Sequence, residues 1–133
     1  MPEKNIVNQF DSIDERLDSL EHVYSAGNDN PFDHLLAEAS GICKALLELF
    51  ASAHGKVLPD SDDLLVLFKA FVKGDASLTA IRDNVRELVY YRNCINEERY
   101  DVLPKNPEKM TLHTVRHIYF YLRSRADQEA LLG

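Results

Sequence analysis

Arginine, amide, carboxylate and phenol crowd into one stretch of this chain, Val85–Asp101 (VRELVYYRNCINEERYD), which carries Arg92-Asn93 and then Glu97-Glu98-Arg99-Tyr100. An arginine guanidinium makes flat, two-pronged contacts to phosphate or carboxylate. Arg92, Asn93 and Tyr100 are therefore the candidate catalytic groups. Arg92, Asn93, Glu97, Arg82, Arg86 and Arg99 are the candidate binding or interface surface. Arg92 also falls near an apolar helical stripe (Ile81, Val85, Leu88, Val89, Ile95) where an unpaired charge is costly. It has to reach a carboxylate, a backbone carbonyl, a phosphate or a second subunit. Asn93 needs partners too if it is buried.

Other constellations carry less. His113 and His117 stand four apart and share a helix face, as in HExxH metal helices. Thr114 takes the place of the glutamate, however, and no third ligand is evident, so no metal site is expected. Asp60, Asp62 and Asp63 lack the alternating oxygen ligands, glycine and distal glutamate of a calcium loop. Cys43 and His54 are separated by several turns, which gives a nucleophile pair no support. There is no GxGxxG, GxxxxGK[ST], CxxC or GxSxG, and no cofactor is expected.

The elements that position these residues follow from composition and period. With 133 residues, 45% hydrophobic and 28% charged, residues 1–133 are expected to form one domain. The net charge of −7 argues against nucleic acid, because phosphate binding draws on Lys and Arg. The charge is uneven: residues 81–133 hold nine basic residues, seven of them arginine, against eight acids. Those arginines either present a local basic surface or pair with the chain's own acidic helices. No apolar run reaches the ~18 residues of a membrane span, the acidic N-terminus does not read as a signal peptide, and Cys43 and Cys94 read as buried reduced thiols. A cytoplasmic location is expected.

Five helices are predicted. Ile6, Phe10, Ile13, Leu17, Leu20 and Tyr24 form a narrow stripe over about 4–25, flanked by Asp11, Asp14, Glu15, Asp18 and Glu21. Asn30 as cap and Pro31 at the first position open a broadly apolar second helix that runs to about His54. A third helix covers about 61–73 after Asp60-Ser61-Asp62-Asp63. Ser77 is expected to cap a fourth, Leu78 to about Glu98. Thr111 is expected to cap a fifth, Leu112 to about Leu132, with Leu112, Val115, Ile118, Tyr119 and Leu122 inward. The fold class is all-α, an up-and-down bundle.

The order of parts over about residues 30–125 resembles the HEPN domain family. HGKVLPDSDDLLVLF, with Gly55, Pro59, Asp63-Leu64-Leu65 and Leu67, resembles that family's turn and following helix. Arg92-Asn93-x-x-x-Glu97-x-x-Tyr100 resembles its Arg-polar-x-x-x-His ribonuclease motif. The resemblance implies metal-free RNA cleavage at a dimer interface, with arginine steadying the phosphate and histidine moving a proton. Here a carboxylate stands where the histidine should be. It would repel phosphate and, ionised at neutral pH, would be a poor general acid.

The expected function is therefore a non-catalytic HEPN-like binding or regulatory module in a toxin–antitoxin or phage-defence setting. It would act as a homodimer, with Glu97 opposite Arg92 of a second subunit. The alternatives are a ribonuclease using Arg92 and Asn93, with RNA as partner, and an adaptor that docks a protein partner through its acidic N-terminal helix. No membrane partner is expected.

Overall fold

The computed structural model describes residues 2–25 and 31–129. They form an all-α bundle of five helices: α1 Pro2–Ser25, α2 Phe32–Ala53, α3 Leu64–Val72, α4 Arg82–Asn96 and α5 Pro107–Gln128. Short 3-10 turns at Ala76–Ile81 and Tyr100–Val102 precede and follow α4. No strand occurs among the described residues. No helix among them is long and apolar enough to cross a membrane.

The second helix is the centre of the bundle and touches all four others. Its apolar positions are too many for one face, and Leu35, Leu36, Ala39, Ile42, Cys43, Leu46, Leu47 and Phe50 are all buried. Each large side chain removed from water there contributes about 1.5–3 kcal/mol. The α1 stripe adds Phe10, Ile13, Leu17 and Leu20 to the same core. The predicted inner face of α5 is buried throughout, at Leu112, Val115, Ile118, Tyr119 and Leu122.

Helix starts depart from expectation in an instructive way. The fifth helix begins at Pro107, capped by Asn106, whose side chain accepts from the Lys109 N–H at 3.2 Å. Thr111 is no cap; it is fully buried within the helix. An Asn-Pro pair ahead of it already satisfies the helix start. Likewise Asp75, not Ser77, caps the segment before α4: its carboxylate accepts the Ser77 N–H at 3.1 Å. That segment winds as a 3-10 turn, so α4 starts at Arg82 rather than Leu78. Asp63 caps α3 by accepting from the Leu65 N–H at 2.9 Å. Pro31 occupies the cap position of α2, and the expected cap Asn30 lies outside the described residues, as does part of the expected extension of α5 to Leu132.

Candidate functional site

Arg92 sits on α4 at the edge of the buried stripe rather than inside it. Its side chain is 31% exposed and turns to the first turn of α2. Nη1 donates to Asp33 Oδ1 at 2.6 Å and Nη2 to the Asp33 carbonyl at 3.4 Å. The acidic residue suits that place, where the α2 dipole is positive. The carboxylate that Arg92 requires thus comes from its own chain.

Beside this pair runs an open groove of about 340 Å³. Arg92, Asn93, Leu88 and Val89 of α4 form one wall; Ser40 of α2 and the residues Asp62, Asp63, Leu64 and Leu65 at the start of α3 form the other. Lys44 reaches Asp62 at 2.8 Å, and its hydrogen bond holds that carboxyl below its ordinary value. Asp63 is committed to its cap. With Arg92 already matched by Asp33, the groove carries more carboxylate than cation, and phosphate would be repelled from it.

The remaining motif residues do not line this groove. The fourth helix stops at Asn96 in a Schellman turn: the Glu98 N–H donates to the Ile95 carbonyl at 3.0 Å and the Arg99 N–H to the Cys94 carbonyl at 2.7 Å. Glu98 takes the left-handed position normally given to glycine, with φ 57°. Glu97 at the helix end is exposed. Arg99 turns to Asp101 at 3.2 Å, and Tyr100 is 60% exposed. Arg82 and Arg86 stand exposed earlier on the helix. Of the candidates, only Arg92 and Asn93 share a site.

The C-terminal arginines are mostly spent within the chain. Arg116 bonds Asp14 at 2.6 Å, Asp18 at 2.8 Å and Glu21 at 2.6 Å. Arg123 bonds Asp11 at 2.7 Å. Arg125 joins Asp75 at 3.1 Å and Glu129 at 2.9 Å. Arg82 lies 3.9 Å from Asp83. Among the seven, only Arg86 forms no ion pair with a described residue. The acids of α1 and the bases of α5 therefore neutralise each other along a shared seam.

A second polar cluster escaped sequence reasoning because it joins four distant positions. His54 Nδ1 faces the Phe50 carbonyl and Nε2 faces Glu129, each at 2.9 Å. The imidazole thereby ties the last turn of α2 to the end of α5. Burial pushes the Glu129 carboxyl up, but hydrogen bonds from Arg125 and His54 outweigh it and hold it low. Hydrogen bonds from Ser77 and Arg125 lower Asp75 in the same way. His54 and Asp75 rim a cavity of about 190 Å³ floored by Phe50, Phe71 and Leu78. Beside it, Lys56 Nζ donates to the Ala70 and Phe71 carbonyls at 3.0 and 3.1 Å and to the Lys73 carbonyl, closing the end of α3. These side chains hold the ends of α2, α3 and α5 together.

Nucleophilic chemistry has no foothold at Cys43: burial pushes its thiol up to about 12, and the thiolate is the reactive form. Among the described residues, no three or more His, Cys, Asp or Glu side chains are grouped to hold a metal ion.

No known family model, curated protein or solved structure matches this chain.

Proposed function

We propose that this chain is a non-catalytic helical interaction module, HEPN-like in the order of its parts, with a regulatory role of the toxin–antitoxin or defence kind. The Arg92–Asp33 pair carries this reading. In-line RNA cleavage needs a cation at the phosphate and a group that gives a proton to the leaving oxygen. Arg92 is closed onto Asp33, the groove beside it presents Asp62 and Asp63, and Glu97 replaces the proton-moving histidine. The binding surface is the end of α4 and the turn after it, where Tyr90, Tyr100 and Val102 are exposed around Arg99. Tyrosine and arginine are the residues that anchor protein contacts.

The pairing of Arg92 with Glu97 of a second subunit loses its motive once Asp33 supplies the carboxylate. The adaptor reading weakens similarly, because Asp11, Asp14, Asp18 and Glu21 of α1 are engaged by α5.

Incubating the purified chain at high concentration with single-stranded RNA tests the proposal. Intact RNA, with no rise in fluorescence anisotropy at physiological salt, is expected. Cleavage that disappears in Arg92→Ala would overturn it in favour of the ribonuclease.

A further inference from the structure

The solvent-facing side of α5 carries a stripe that the core does not explain. Met110, His113, His117 and Phe120 all point outward, with Met110 46% and Phe120 59% exposed. Their spacing of three, four and three residues keeps them on one face of the helix. Neither histidine makes a hydrogen bond, ion pair or ring contact with any described residue. The face is bounded on one side by Arg116, which turns to α1, and on the other by Thr114, which accepts a hydrogen bond from Asn84 of α4 at 2.8 Å. The order apolar, His, His, apolar reads the same in both directions.

We propose that this face binds a zinc-class divalent ion between two copies of the chain, related by a two-fold axis that crosses the outward side of α5 midway between His113 and His117. Self-complementarity is what a two-fold interface demands, since the same patch must meet itself. Antiparallel pairing of α5 with its copy sets each Met110 against the other Phe120. It also brings each His113 beside the other His117. Histidines four apart on a helix lie about 5–6 Å from one another at Cβ, so one pair can grip a single ion at ~2.0–2.1 Å. A second pair completes a tetrahedron of four imidazoles, a donor set that suits zinc, copper or nickel. The third and fourth ligands missing from the sequence come from the partner copy.

Two partly exposed apolar side chains per copy fall well short of the ~1,200 Å² that a stable interface buries. The metal is therefore required to hold the dimer. The face uses only α5 side chains and none of Tyr90, Arg99, Tyr100 and Val102, so this proposal does not rest on the function proposed above. RNA cleavage would overturn that reading and leave this one untouched.

The test uses the untagged full-length chain in sedimentation velocity, with EDTA or with added Zn²⁺. The expected mass is 15.2 kDa in EDTA and twice that with zinc, saturating at one ion per two chains. His113→Ala and His117→Ala, both at exposed positions, should each abolish the shift while leaving the circular dichroism unchanged. Phe120→Lys should weaken zinc-dependent dimerisation at least tenfold. Co²⁺ in place of zinc should give the visible bands of a tetrahedral nitrogen site without the near-ultraviolet band of a thiolate ligand. A monomer at saturating zinc, a dimer that persists in EDTA, or a zinc dimer indifferent to both histidine variants would overturn the proposal.

Discussion

Arg92 and Asp33 are 59 residues apart in the chain and 2.6 Å apart in space. The pair is short but wet, with the aspartate side chain 65% exposed. Partly solvated pairs of this kind contribute about 0–1 kcal/mol, because water screens the attraction and two side chains lose freedom. Arg92→Ala should therefore lower the unfolding free energy by less than about 1 kcal/mol, read from urea denaturation. The variant stays folded, which keeps the RNA experiment interpretable.

Arg116 is a different case. Its side chain is only 16% exposed, and it bonds three carboxylates of α1 while lying over the Tyr119 and Phe120 rings. Burial alone would pull its guanidinium down, but the bonds to Glu21 and Asp14 outweigh it and raise it. Arg116→Ala leaves Asp14, Asp18 and Glu21 to repel one another and should cost about 2 kcal/mol. Arg116→Lys should recover less than half of that, since an ammonium has no planar fork. Thermal unfolding of both variants at low and high salt checks this, with the gap to the parent narrowing as salt screens the cluster.

Glu98 holds a left-handed backbone at φ 57°, which costs a side chain with a Cβ about 1 kcal/mol or more. The Schellman hydrogen bonds around it are made by backbone alone, so they survive substitution. Glu98→Gly should raise stability by about 1 kcal/mol, despite glycine's greater freedom when unfolded. A lower urea midpoint in the variant would show that the Glu98 side chain does something the backbone does not.

Glu87 gives the pH dependence. Its Oε2 is buried without a hydrogen-bond partner. Burial raises its carboxyl above the ordinary 4.5, and the hydrogen bond with Tyr91 only partly opposes this. For an acid raised on folding, the native state favours the protonated form. Its stabilising effect is full below 4.5 and is lost as pH rises through the raised value. Glu87 is then a liability at neutral pH. Glu87→Gln should stabilise at pH 7 by under about 1 kcal/mol and make little difference at pH 4. Urea midpoints at the two pH values decide it, and an equal gain at both would mean that charge is not the cause.

Five helices in this order were legible because the signal is local. Apolar residues recur at the helical period along the chain, and Phe10, Ile13 and Leu17 or Leu112, Val115 and Ile118 could be assigned inward from that period alone. For α3 the sequence offered Asp60, Ser61, Asp62 and Asp63 together ahead of a helix expected from about 61, and the fold takes the last of them, Asp63, so that α3 starts at Leu64. Ser77 and Thr111 lost to Asp75 and Asn106, each upstream and nearer the chain's actual turn.

The motif residues were legible as types but not as a site. The sequence showed that Arg92 required a counter-charge. It could not say that Asp33 would meet it, nor that α4 would end at Asn96 and send Glu97, Arg99 and Tyr100 away from the groove. The outward stripe of α5 was hidden for the same reason. Thr111 and Thr114 are polar yet buried, while Met110 and Phe120 are apolar yet exposed. Period sets which residues share a face; only the packing of α5 against α1, α2 and α4 decides which face meets water.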